Sequence, residues 1–191
     1  TNGWKGRAQF VLIKQAATIG DRGIEADNNE ANNDSSPRAQ PILSNLTIIG
    51  RAGDSATQGV LLRRGTGANI WNSVITGSPT CLTIDGAATF ANAGVPGSLT
   101  GSLTIQNSFV NCAANFADGD DATFTTSDWF LSQSENVAGD PLLGGYLPAA
   151  GSPLTLGGAA VSDAFFTPVD YSGAFKDANG DWTKEWTINF N

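Results

Sequence analysis

The sequence predicts an all-β protein, a coil of short strands stacked rung on rung as a parallel β-solenoid. Three observations predict it. No window carries a long i, i+3, i+4 apolar pattern, so helical periodicity is scarce. Short β-rich runs, punctuated by Gly, Asn, Asp or Pro, take its place. Some of those runs recur at a coil's length. "GVLLRRG" from Gly59 and "CLTIDG" from Cys81 each put a short apolar strand before a charge and a glycine, and Val60 and Leu82 lie 22 residues apart.

Taken in order, the first run is FVLIK at residues 10–14. "GIEAD" from Gly23 then plays the part of the two repeats above. Residues 27–37 follow, eleven positions without a large apolar side chain. The β-rich runs resume at once with NLTII (45–49), VLLR (60–63), IWNSVIT (70–76), LTI (82–84) and LTI (103–105). "NSVITG" from Asn72 and "NSFVNC" from Asn107 match in kind at five of six places. The step from Val60 to Leu82 is clean and insertions stretch the others. Stacked rungs about 4.8 Å apart bury one side of each strand inside the coil, and no rung is stable alone. Because the same grammar continues across the polar run 27–37, that run reads as a loop thrown out between two rungs. Loop closure grows slowly with length, so such an excursion costs little. An antiparallel sandwich with irregular strand spacing is the alternative. Against it, Asp85-Gly86 is followed by the small-residue run AATFANAGVPGSLTG and not by a return strand.

Residues 138–160, AGDPLLGGYLPAAGSPLTLGGAA, contain Asp140-Pro141, Tyr146-Leu147 and Gly151-Ser152-Pro153 in that order. This stretch resembles the closing segment of secreted bacterial β-helices of the pectate-lyase-like superfamily. "GVLLRRGTGANIWNSVITG" and "VDYSGAFKDANGDWTKEWT" resemble stretches of uncharacterised bacterial surface or lipoprotein-like members. The resemblance implies a right-handed parallel β-helix with loop excursions. Coils would occupy 1–137, and 138–191 would form a closing segment and an irregular C-terminal cap of the same domain. For activity it implies little, since that superfamily hosts enzymes, adhesins and inert structural parts.

Composition narrows the chemistry. The 191 residues suffice for one domain with a real core. Only 15% are charged, and the net charge of −8 offers no basic footprint for nucleic acid. No apolar run approaches the ~20 residues of a membrane span. With no His, the usual His base, Ser-His-Asp triads and His-ligated zinc are excluded. The absence of Met points to a processed chain or a piece of something longer. Two cysteines, Cys81 and Cys112, are too few for a disulfide scaffold. They lie where stacked coils would bring them into bridging range, and a bridge would place the chain in an oxidising compartment.

Three acidic clusters are candidate calcium sites. The polar run offers Asp27, Asn29, Glu30 and Asp34; "DGDD" offers Asp118, Asp120 and Asp121; "DANGDW" offers Asp177, Asn179 and Asp181. The last begins like a calcium loop, then has Trp182 where a Gly belongs and Ile188 where a bidentate Glu belongs. Asx turns, in which such side chains bond their own backbone, are the competing explanation. The resemblance also implies a possible lyase, which would pair calcium with an Arg or Lys base. Arg63 and Arg64, with Asp85 one coil away, are the candidates. Strand alternation sends neighbours to opposite faces, so at most one of the two arginines should face outward unless the strand ends between them. The hydrolases of the superfamily use a Gly-His-Gly segment, and this chain has no His. Trp71, inside a strand run, reads as core or as stacked on a neighbouring rung. Trp182 and Trp186 read as a cap over the last rung, with a sugar-stacking platform as the alternative.

Two functions follow. One is a secreted or cell-surface solenoid module with a structural, adhesive or assembly role. The other is a calcium-assisted enzyme acting on an acidic glycan. Almost nothing precedes the first strand run, so the rung holding residues 10–14 is expected to be covered from outside. The cover would be an upstream part of the same polypeptide or a neighbouring copy.

Overall fold

The computed structural model describes residues 2–53, 56–185 and 187. Strands β1 (Arg7–Lys14), β3 (Ile42–Ile49), β5 (Asn69–Trp71), β6 (Val74–Thr76), β8 (Thr104–Gln106), β9 (Phe109–Asn111) and β11 (Val137–Ala138) form one seven-stranded sheet. Strands β2 (Arg22–Ala26), β4 (Gln58–Leu62), β7 (Thr80–Ile84) and β10 (Ala114–Asp118) form a second, of order β10-β7-β4-β2. The chain visits the two sheets alternately, and every pairing within them is parallel. That removes the antiparallel sandwich. Among the described residues one pair of strands is antiparallel, β12 (Leu143–Gly144) with β13 (Leu147–Pro148), in the closing segment.

The repeat read from sequence is the observed register. Ile24 pairs with Val60, Val60 with Leu82 and Leu82 with Phe116. Their small leading residues are sterically required. A Cβ on Gly59 would stand 2.3 Å from the Ile75 side chain and 2.7 Å from the Cys81 carbonyl, and one on Gly23 would stand 2.6 Å from the Gly59 carbonyl. Inside the coil, Leu46, Ile48, Val60, Leu62, Ile75, Leu82 and Ile84 are buried in one cluster. Cys81 and Cys112 form a disulfide between adjacent rungs, with Cα atoms 5.5 Å apart.

The run 70–76, expected as one strand, is two. Asn72 adopts φ +49° and bends the chain between β5 and β6. Asn45 (φ +56°) and Asn107 (φ +51°) occupy the same position in the neighbouring rungs. Asn tolerates this left-handed region better than other non-glycine residues. Trp71 ends β5 half-buried; it is not a core residue, because the alternating partner Ile70 takes the inward place.

Two short helices were not visible in the sequence: α1 (Ala87–Ala93) and α2 (Thr126–Leu131). Both arise after a strand of the second sheet, as does the polar excursion after β2. The helices bring Phe90, Trp129 and Phe130 into the core, and the Trp129 indole donates to the Ala93 carbonyl at 3.0 Å.

The C-terminal tail returns along the coil. Asn72 pairs with both main-chain groups of Ala159, its Nδ2 donating to the carbonyl and its Oδ1 accepting the N–H, each at 2.8 Å. Gln9 clamps Thr167 in the same way, at 2.9 and 2.8 Å. Asn45 donates to the Tyr171 carbonyl and Asn107 to that of Gly157. Trp182 stacks on Phe175 with centroids 5.1 Å apart, and its indole donates to the Ala174 carbonyl. Trp186 lies outside the described residues. At the opposite end, Trp4 is half-exposed beside Ile24, Ala26 and Leu43, around a cavity of about 100 Å³.

Candidate functional site

One corner of the coil collects most of the candidate residues. Where each strand of the second sheet ends, the register stacks Ala26, Leu62, Ile84 and Asp118. The next residues are Asp27, Arg63, Asp85 and Gly119, so charged groups from successive rungs become neighbours without any long-range coincidence. The Asp85 N–H donates to the Leu62 carbonyl and the Gly119 N–H to that of Ile84, which continues the ladder one step into the turn.

β4 ends at Leu62, before both arginines. Arg64 then takes φ +51°. The two neighbours therefore do not diverge, and both reach Asp27. Arg63 Nε donates to Asp27 Oδ1 at 2.9 Å, and Arg64 Nη1 donates to Oδ2 at 2.8 Å. Arg63 also holds Glu25 at 2.5 Å and Arg64 holds Glu30 at 2.8 Å. The result is a five-charge chain, Glu25–Arg63–Asp27–Arg64–Glu30, centred on a carboxylate only 11% exposed. Burial works against the charged form of Arg63. The hydrogen bond and charge of Asp27, and then those of Glu25, outweigh it and hold the guanidinium proton more tightly than usual.

The polar run is built on Asn28, which is buried. Asn28 accepts from the Ala39 N–H at 2.8 Å and donates to the carbonyls of Asn33 and Ser35 at 2.9 Å. Arg38 binds Asp34 at 2.7 Å and donates to the Gly65 carbonyl, tying the excursion to the following turn. Neither residue stood out in the sequence, because a side chain that bonds main-chain carbonyls leaves no motif.

The expected calcium ligands of this run are thus otherwise engaged. Asp27 and Glu30 face arginines, Asp34 faces Arg38, and Asn29 accepts from the N–H groups of Ala31 and Asn32 in an Asx turn. In the third cluster, Asp177 accepts from the N–H groups of Asn179 and Gly180. Asp181 accepts from the Thr183 hydroxyl and from Tyr146. The Thr183 hydroxyl bond is the largest influence on Asp181; burial opposes it, and the Thr183 N–H and Tyr146 reinforce it, leaving the carboxyl below the usual range. Among the described residues no three Asp, Glu or Cys side chains are arranged to hold a metal ion.

Beside the arginine pair a cleft of about 220 Å³ opens, lined by Arg64, Asp85, Asp120, Asp121, Asn33 and Thr89 among others. It brings together Arg64 and Asp85, as read from sequence, and adds two carboxylates of the "DGDD" cluster. Asp85 Oδ1 accepts the Asp120 N–H at 2.8 Å. The third aspartate, Asp118, is exposed at the end of β10 and accepts from the Thr126 N–H at 2.6 Å. Arg63 lies outside this cleft. The arrangement can bind a small polar ligand; the Arg64 guanidinium that lines it is already bound to Asp27 and Glu30.

A family model for a pectate-lyase like beta helix domain matches residues 1–148. No curated protein and no solved structure matches the chain. No helix among the described residues is long and apolar enough to cross a membrane.

Proposed function

The chain belongs to the pectate-lyase-like beta helix family, and from that premise we propose that it is an extracellular or cell-surface solenoid module. Its role is structural, adhesive or in assembly, with no reaction of its own. A closed, right-handed coil is the finer form of the same proposal. The observation that carries it is the state of the two arginines that the resemblance implies as bases. A lyase needs a basic side chain that accepts a proton, and Arg63 and Arg64 are both ion-paired to carboxylates, Arg63 with Glu25 and Asp27 and Arg64 with Asp27 and Glu30. The Cys81–Cys112 bridge supports a secreted location, since such bonds persist in oxidising compartments.

The alternative, a lyase acting on an acidic glycan, is favoured by the cleft that joins Arg64 to Asp85, Asp120 and Asp121. Calcium fits poorly as its partner, because the carboxylates of the polar run are paired with arginines; without a cation, three cleft carboxylates would repel an acidic polymer. Incubation of the chain with uronate polymers, with and without calcium, tests the proposal. No unsaturated product is expected, and its accumulation, followed by ultraviolet absorbance, would make the module an enzyme. A chelator is expected to leave the melting curve unchanged.

A further inference from the structure

The tail that returns along the coil has two parts, held in different ways. Residues 172–175 are all buried, as are Ser152 and Leu154. Of residues 155–171 only Phe166 is buried, and 156–171 form no strand or helix. The two limbs of that stretch meet at a root. The Ser172 N–H donates to the Leu154 carbonyl at 2.9 Å, and the Gly158 N–H donates to that of Asp170 at 3.1 Å. Gly158 must be bare, because a Cβ there would strike the Tyr171 main chain. Beside it Gly157 takes φ +86°, which glycine adopts without strain. Residues 159–169 therefore leave the root as an arm, and the root closes without them.

The arm crosses from the third rung to the first. Ala159 bonds Asn72 near the root, and Thr167 bonds Gln9 at the tip. Besides the buried Phe166, the tip is held by Arg7. Its guanidinium pairs with Asp163 at 3.1 Å and lies 5.2 Å from the centre of the Phe165 ring. Arg7, Phe165 and Thr167 are all exposed. Few buried side chains, no ladder and exposed polar bonds mark a segment of low local stability. The root has the opposite character.

We infer that residues 159–169 are a lid, hinged at Gly157 and Gly158 and latched by Arg7, which opens as one unit while the coil and the root stay folded. Opening uncovers the Gln9 and Asn72 amides and leaves both without their main-chain partners. A structural module and an enzyme could each carry such a lid, so the uronate assay does not bear on it.

Native-state hydrogen exchange of the full chain tests it. The Ala159 and Thr167 N–H groups, donated to Asn72 and Gln9, report on the two ends of the lid. The Ser172 and Gly173 N–H groups, donated to the carbonyls of Leu154 and Asn72, report on the root. The first pair is expected to share one opening constant and the second to exchange far more slowly. Arg7→Gln removes an exposed ion pair and a cation–π contact. It should speed the first pair together, roughly three- to thirty-fold, and leave the second unchanged. Asp163→Asn keeps an acceptor for the Phe165 N–H and should act in the same direction by up to about fivefold. Acceleration of Thr167 without Ala159 would mean fraying of the tip. Equal acceleration of Ser172 and Gly173 would mean that the whole tail peels away. No response to Arg7→Gln would remove the latch. Each of these results overturns the inference.

Discussion

Asp27→Ala removes the carboxylate on which two arginines converge. Two charge-assisted hydrogen bonds go, and each such bond contributes about 1.5–3 kcal/mol. The full sum does not apply. The Arg63 and Arg64 side chains are 24% and 27% exposed, so water recovers part of the loss, and Glu25 and Glu30 remain as partners. Orphaning a fully buried charge costs about 3–5 kcal/mol, and this half-solvated pair should cost about 2–3 kcal/mol. For a chain of this size that corresponds to roughly 5–10 °C in Tm. Urea and thermal unfolding followed by circular dichroism at neutral pH and low salt would measure it. Glu30→Gln is the control: that carboxylate is 77% exposed, and its loss should cost under about 1 kcal/mol. If Asp27→Ala lay within about 0.5 kcal/mol of wild type, or if Glu30→Gln cost as much, the convergent-carboxylate argument would fail.

Titration of the unreduced, denatured chain should find no free thiols, and Cys81→Ser with Cys112→Ser should destabilise by about 3–4 kcal/mol in chemical unfolding, as the chain-entropy model gives for this loop. Gly59→Val should cost 3 kcal/mol or more, on the order of severe overpacking, because the Ile75 side chain and the Cys81 carbonyl crowd the new atoms; near-normal expression and melting would contradict the stacking register. Asp163 is held below the usual carboxylate range, first by the Phe165 N–H and then, against burial, by Arg7. Its folded value lies below its unfolded one, so its contribution is present above about pH 4 and is lost as pH falls through the folded value. Hydrogen exchange near residues 163–167 should therefore show the tail loosening in acid before the core does.

The coil was legible because its logic is local. Gly23, Gly59 and Cys81 each open an apolar strand, and that repetition survives translation into register. What was hidden depended on a single dihedral or on main-chain partners. The left-handed turn at Arg64 brought two arginines to one carboxylate, where strand alternation would have parted them. Asn72 divided a run that looked continuous. The six and seven residues of α2 and α1 are too few to show a helical period, so Trp129 and Phe130 gave no sign of being core. In the candidate site, Asp85 could be matched to Arg63 by repeat position. Asp120 and Asp121 could not be matched, because a carboxylate in a turn has no facing until the turn is built.

The tail that runs back along the coil also fixes an order of events. Within the coil, each rung stacks on its predecessor, so winding can keep pace with synthesis. The tail's bonds instead join positions 158 residues apart at Gln9 and Thr167, and 126 apart at Asn45 and Tyr171. Contacts so distant close late. The amides of Gln9, Asn45, Asn72 and Asn107 therefore stand waiting on a nearly finished coil until residues 157–171 arrive, and the tail works as a clasp fastened after the coil is wound.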